Sequence, residues 1–534
     1  MSEPATDPVQ QITTAYTFDE PAIDLGVLLH DDEPVPGSRI RFPLSMLNRH
    51  GLITGATGTG KTKTLQVLAE AISAAGVPVF AADIKGDLSG LAAPGESSPK
   101  LAERTQQIGQ DWQPHAAPVE FFALGGQGVG VPIRATVTAF GPVLLSKVLG
   151  LNEVQESTLG LIFHFADNNG LPLLDLADLR AVIQFLTSDE GKGELANLGG
   201  VSKATAGVIL RNLINFAEQG ADEFFGEPEF DTADFMRVTG DGRGIISLLE
   251  LPNLQDRPMV FSTFLMWLLA DLFAELPEVG DPDKPKLVFF LDEAHLLFTD
   301  ASKAFMQAIT QTVRLIRSKG VGVFFVTQVP TDVPDDVLAQ LGSRVQHQLR
   351  AHTPKDAKAL KATVQTFPTT DYDLAELLQT LGTGEAVITV MDPDGAPTPV
   401  APTRILAPQT LMAALSPQVL GPGIQGSPMM AKYGAEIDRD SAYEMLTRKL
   451  EAGARQAEIE AQQAEEAKRA QQAAKQQEAA DRAPQRSSGS RGRAPKPEPS
   501  MAEKVFGSSV FRQATNTVTR EIVRSIFGTA RRRR

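Results

Sequence analysis

The chain has 534 residues, 42% hydrophobic and 22% charged, enough apolar content for a sizeable core and a length that suggests two to four domains. It has no cysteine, which excludes disulfides, Cys–Zn sites and thiol catalysis, and no apolar run reaches the roughly 18–20 residues a membrane span needs. The net charge of −15 is uneven: from Arg482 to Arg534, 13 Lys/Arg stand against three Glu, so the rest of the chain is strongly acidic.

An acidic body does not advertise nucleic-acid binding, although a basic groove inside an acidic exterior is compatible with it. Residues 1–11 lack the basic-then-apolar pattern of a secretory signal, so a cytoplasmic chain with no transmembrane segment is expected.

Residues 1–40 read as a short N-terminal arm, punctuated by Pro34, Pro36 and Gly37. From His50 to about Arg404 strand-like apolar runs alternate with helical patterns, which reads as α/β with a mostly parallel sheet. The clearest strands are Gly51–Thr54, Val77–Ala82, Gly244–Leu249, Leu287–Leu291, Gly322–Thr327 and Glu385–Val390. They are apolar on both faces, as a sheet covered by helices on both sides requires.

Between Val137 and Phe225 the pattern turns helical, with apolar residues at three- and four-residue spacing over Leu144–Leu149, Glu156–Asn168, Asp175–Thr187 and Ser202–Glu218. Asp175 and Ser202 are the expected N-caps. This helical insertion, 137–225, sits inside a core domain read as 41–430. Residues 431–482, rich in Ala, Glu and Gln, predict a long solvated helix. Residues 483–500 read as a flexible linker, and 501–534 as a basic amphipathic segment ending in four arginines.

The chemistry concentrates at Gly55-Ala56-Thr57-Gly58-Thr59-Gly60-Lys61-Thr62, which fits G-x-x-x-x-G-K-[ST] at every fixed position. Glycines let successive backbone N–H groups curl around phosphates, Lys61 is placed to reach the β- and γ-phosphates, and the Thr62 hydroxyl is placed to ligate Mg²⁺. The helix expected over Thr62–Ala75 adds its positive end. The expected ligand is ATP (or GTP) with Mg²⁺.

A partner carboxylate is expected at another strand's tip. Leu287-Val-Phe-Phe-Leu291 runs into Asp292-Glu293-Ala294-His295, so Asp292 is read as the second Mg²⁺ residue and Glu293 as the group that polarises the attacking water. Gln328, ending the strand Gly322–Thr327, is placed to sense the γ-phosphate or hold the water. His295 reads first as a packed histidine and second as a link between hydrolysis and movement.

Four stretches together carry a family resemblance: the loop, Asp83-Ile-Lys85-Gly86-Asp87, Leu-Asp-Glu-Ala-His, and Arg317-Ser-Lys-Gly-Val-Gly-Val-Phe-Phe-Val-Thr-Gln328. The chain resembles HerA/FtsK-class P-loop ATPases, most nearly the bacterial HerA-like helicase group typified by YjgR, over about residues 20–430. The resemblance implies a RecA-like core, a homo-oligomeric, hexameric ring with ATP at subunit interfaces, and a translocase or helicase motor on double-stranded DNA. It also implies an arginine reaching a neighbour's γ-phosphate. Arg344 is the first choice, with Arg350, Arg317 and Arg134 as alternatives.

The resemblance has one departure. Family motors carry a β-barrel before the ATPase, and the residues preceding the loop here are too few for it, so the helical insertion is the candidate substitute. The Asp-Glu-Ala-His string also matches a superfamily-2 helicase label, but no other motif of that class accompanies it.

Direct support for DNA is thin: Lys85, Lys203 and Arg211 are the candidate pore residues, and a solvated charge is the ordinary alternative for each. The competing class is an ATP-driven assembly or signalling switch that does not act on DNA. The C-terminal segment has three readings of its own: hooking a protein partner, which is favoured, binding nucleic acid, or lying on an anionic membrane. A small-molecule kinase is disfavoured because no compact acceptor motif is visible.

Overall fold

The computed structural model describes residues 7–125, 128–194, 199–251, 258–298 and 303–481. The linker 483–500 and the basic segment 501–534 lie outside the described residues. The strands are β1 (Ala22–His30), β2 (Glu33–Pro43), β3 (Gly51–Thr54), β4 (Val79–Asp83), β5 (Val119–Leu124), β6 (Val131–Ile133), β7 (Ile246–Glu250), β8 (Leu287–Leu291), β9 (Val321–Thr327), β10 (Ser343–His347), β11 (Glu385–Thr389) and β12 (Ala401–Ile405). They form one sheet in the order β2-β1-β12-β11-β10-β3-β9-β8-β4-β7-β5-β6.

Pairing is parallel from β10 through β6 and antiparallel from β10 out to β2. The expected mostly parallel α/β sheet is therefore present, with an antiparallel flank added. In the parallel part every described strand end that carries a candidate residue points to one edge. Thr54 pairs with Thr327 and with Gln346, and Asp83 with Glu250.

Successive residues of these strands serve opposite layers. Val79, Ala81, Val288, Phe290 and Val326 pack with Leu65, Leu68 and Ile72 of the helix Lys61–Ala74. Phe80 and Phe289 face the other way, into an aromatic cluster with Phe235 and with Phe264 of the helix Pro258–Glu275. Burial on both faces explains the uninterrupted apolar runs.

The N-terminal segment departs from the arm that its sequence suggested. Residues 22–43 form the hairpin β1–β2, and β1 pairs with β12. The punctuation has a positional reason: β2 is the outermost strand, where prolines are tolerated because one row of N–H groups has no ladder partner. The two-residue turn is Asp31-Asp32, with φ of 50° and 63°, the backbone of a type I′ hairpin turn made without glycine.

Contacts divide the chain into two units, residues 1–156 with 212–438, and residues 157–211 with 439–534. The first holds the sheet. In the second, the helix Leu176–Thr187 is capped by Asp175, whose side chain accepts from Asp178 N while Asp178 accepts in return. The other oxygen of Asp178 accepts from Ser441 Oγ (2.5 Å) and Tyr443 N (2.9 Å), which ties down the start of the helix Ala442–Asp481. Ser202 caps the helix Lys203–Glu218 as its position suggested, accepting from Thr205 N at 3.0 Å. From Glu451 to Gln477 the long Ala/Glu/Gln-rich helix is almost wholly exposed.

Candidate nucleotide site

β3 ends at Thr54, and Gly55–Gly60 form a loop before the helix that starts at Lys61. Neighbouring strands clamp it: Gly55 N donates to Gln328 O (3.1 Å), Ala56 N to Gln348 O (2.9 Å), and Gly384 N to Thr59 O (2.9 Å). His347 lies directly beneath, fully buried. Its Nε2 is 2.9 Å from Thr64 Oγ1 and its Nδ1 2.8 Å from Glu385 O. Burial lowers its pKa to about 4, so the ring is neutral. Gly55 and Gly58 both have positive φ, 157° and 81°.

Lys61 bends over the loop and donates to Gly55 O (2.6 Å) and Ala56 O (3.1 Å). Burial lowers its pKa, and the charges of Glu293 and Asp292 work against that fall. Thr57 and Gly58 are exposed at the loop's crest, so its outer face is open to a ligand.

Asp292 and Glu293 leave the tip of β8, both buried. Burial, then the neighbouring charge of Glu293, pushes Asp292 up to about 7, while its bond from Glu293 N (2.8 Å) pulls the other way. Glu293 itself is held in the left-handed region at φ 46°, an uncommon conformation for a glutamate that aims its side chain back across the sheet edge. Its Oε1 pairs with Lys85, which follows β4, and its Oε2 lies 3.2 Å from His295 Nδ1. Burial works to lower the Lys85 pKa, but its bond to Glu293 wins and the value is raised. Lys85, considered above as a pore residue, is here the partner of Glu293.

Gln328 is exposed beside the loop and gives it a backbone carbonyl. Arg344 is not brought to the loop of its own chain. It sits at the start of β10 opposite Leu52, and burial lowers its pKa. Arg350 comes nearer, with Nη2 3.4 Å from Thr57 O. Arg134 is buried and donates to Tyr433 O, and Arg317 stands close to Arg49 and Asp281.

The sequence reading missed two groups. His347 carries no local signal, because only strand pairing brings it under the loop. Glu250 did carry one, an acid at the tip of the apolar strand β7, as Asp292 is at the tip of β8. Burial, with the charges of Asp83 and Asp87, pushes Glu250 up to about 8. Asp83 is held up to about 6, by burial foremost.

Buried Glu250 Oε1 and Asp87 Oδ1 have no hydrogen-bond partner among the described residues. Among the described residues no three His, Cys, Asp or Glu side chains converge to cage a metal ion, so a divalent cation beside Thr62 would draw on one or two carboxylates together with phosphate oxygens, as Mg²⁺ ordinarily does.

A parallel sheet whose inner strand opens into such a loop, one strand away from an acidic strand tip, is the architecture of P-loop ATPases of the HerA/FtsK class, and this chain is one of them. It belongs to the Helicase HerA-like C-terminal family, whose sequence model matches residues 29–534. It is similar to the DNA double-strand break repair helicase HerA of Sulfurisphaera tokodaii, 24% identical over 378 residues covering 70% of this chain and 67% of that protein. The HerA of Sulfolobus acidocaldarius is 22% identical over 65% of this chain and 64% of its own length, so the match spans less than two thirds of that relative.

Among solved structures, the fold resembles that of the bacterial conjugative coupling protein TrwBdeltaN70 in its unbound monoclinic form (TM-score 0.50, 13% identity, 76% of this chain and 94% of that one). It also resembles the plasmid coupling protein TrwB in complex with ADP and Mg²⁺ (TM-score 0.50, 15% identity, 77% and 94%). No helix among the described residues is long and apolar enough to cross a membrane.

Proposed function

We propose that this chain binds ATP with Mg²⁺ on the Gly55–Thr62 loop, hydrolyses it, and works as a ring of identical subunits that moves double-stranded DNA. The observation that carries the hydrolytic part is the convergence of Lys61, Thr62, Asp292 and Glu293 on one sheet edge, close enough that Lys61 feels both carboxylates.

On binding, Lys61 exchanges the carbonyls of Gly55 and Ala56 for phosphate oxygens. The backbone N–H groups of Gly58–Thr62 and the helix start at Lys61 face the same charge. Thr62 and Asp292 would hold Mg²⁺, which would supply neutralisation of the phosphate charge. Glu293 orients the attacking water and takes its proton. Lys85, on Oε1, fixes where that carboxylate points, His295 stands 3.2 Å from Oε2, and Gln328 stands beside the same space. An arginine from a neighbouring subunit completes the charge balance. Arg344 is assigned that role, and Arg344→Ala should lower turnover while leaving nucleotide binding intact; unchanged turnover removes the assignment.

The DNA part rests on family membership and on the description of the relatives as DNA repair helicases. Steady-state ATPase activity measured with and without duplex DNA, at several salt concentrations, tests it. Stimulation that fades as salt rises is expected. If duplex DNA neither stimulates nor binds, the motor acts on another substrate, and a protein-assembly switch becomes the reading.

A further inference from the structure

The loop after β4 has a construction that the nucleotide site described so far does not use. Asp83, at the strand's last position, accepts from Lys85 N (3.1 Å) and Gly86 N (2.7 Å) through Oδ1, and from Leu88 N (2.7 Å) through Oδ2. Its carboxylate is consumed in folding this turn. The turn delivers Asp87 to the phosphate loop, where Asp87 Oδ2 lies 3.3 Å from Thr62 Oγ1. The other oxygen, Oδ1, is buried and has no hydrogen-bond partner among the described residues. From the adjacent strand tip Glu250, only 8% exposed, points at the same turn. A Cβ on Gly86 would meet Glu250 Oε2 at 3.6 Å, and Glu250 Oε1 is likewise buried without a partner.

Two buried acid oxygens without a hydrogen-bond partner among the described residues, beside a hydroxyl, suit a cation or its water shell. The 3.3 Å between Thr62 Oγ1 and Asp87 Oδ2 is informative. Adjacent ligands of an octahedral Mg²⁺, each at about 2.1 Å, stand about 3.0 Å apart. The hydrogen-bonded pair is close enough for both oxygens to reach one cation.

We propose that Asp87 is a direct ligand of the divalent cation next to Thr62, and that Glu250 accepts a hydrogen bond from water bound to that cation. This assignment rests on the nucleotide reading above and deepens it. The cation is gripped from the β4 side by Asp87 as well as from the β8 side by Asp292. A protein oxygen thereby replaces one of the waters that Mg²⁺ ordinarily keeps.

The test uses the full chain with ADP and Mn²⁺, following free Mn²⁺ by its electron paramagnetic resonance signal, and measures ADP affinity separately in EDTA. For Asp87→Asn, Mn²⁺ affinity of the ADP complex should fall about 10–100-fold, and for Glu250→Gln about tenfold, with ADP affinity in EDTA unchanged. Asp87→Cys adds the chain's only thiol. It should lose Mn²⁺ in the same way and gain Cd²⁺, since a thiolate favours the softer ion.

Mn²⁺ affinities within about twofold of wild type for Asp87→Asn overturn the assignment. So does a loss of metal-free ADP binding equal to the loss of Mn²⁺, which means that Asp87 only shapes the loop. Absence of Cd²⁺ gain in an Asp87→Cys protein that still binds ADP rejects direct ligation. Wild-type protein that binds no ADP at all refutes the nucleotide reading and this assignment with it, an outcome distinct from the three before it.

Discussion

Gly55→Ala tests how the loop is held. A Cβ there would stand 2.5 Å from His347 Cβ and 2.8 Å from Thr59 Oγ1. Non-bonded carbons settle about 3.5–4.0 Å apart, so something must retreat by about 1 Å. His347 has no room to do so, being fully buried with both ring nitrogens engaged by Thr64 and Glu385. The loop therefore moves.

Overpacking of this kind costs about 1–3 kcal/mol, and a reactive group displaced by ~1 Å loses about 10²-fold in rate. Gly58→Ala is the control. Its φ of 81° brings conformational strain of roughly 1–2 kcal/mol, but among the described residues no heavy atom beyond its chain neighbours lies within 4 Å of the added Cβ. Urea unfolding of the nucleotide-free proteins and titration with a fluorescent ADP measure both effects. Gly55→Ala should be the less stable of the two and bind ADP more weakly than wild type. The reasoning is refuted if Gly55→Ala matches wild type in unfolding midpoint and ADP affinity, or if Gly58→Ala is the more destabilised.

Three further outcomes are expected. Lys61→Ala should abolish ADP and ATP binding in calorimetric titration, because the ammonium that rests on the loop carbonyls is removed; near-normal ATPase activity would sink the site assignment. Glu293→Gln keeps the side chain's shape but not its charge, and should retain ATP binding while kcat falls by roughly 10²–10⁴-fold; loss of binding instead reassigns Glu293 to support of the fold. Asp178→Ala removes the side-chain acceptor of Leu174 N, Asp175 N and Tyr443 N, while Ser441 Oγ keeps Glu444 Oε2, and should destabilise the unit containing the helix Leu176–Thr187 by about 3 kcal/mol, read as a lower thermal midpoint; an unchanged midpoint would show that water replaces the carboxylate.

The parallel strands were legible because they are short apolar runs, buried on both faces and bounded by turn residues. The phosphate loop was legible because its glycines, lysine and threonine are fixed by spacing alone. Asp292 and Glu293 followed from a similar local rule, an acidic pair at a strand tip. The hairpin β1–β2 was hidden by prolines that only an edge position permits, and by an Asp-Asp turn in place of the usual glycine.

What tertiary structure alone decided is which distant residues meet at the sheet edge. Lys85 reads as a solvated cation until β4 is set beside β8, when it becomes the partner of Glu293. His347 lies 292 residues after Gly55 in the chain, and reaches it only because β10 pairs with β3. Asp87 touches Thr62 because Asp83 folds the intervening turn, and Glu250 joins them through the pairing of β7 with β4. Local sequence determines which backbone can hold a phosphate. Strand order, a property of the whole chain, determines which charges surround it.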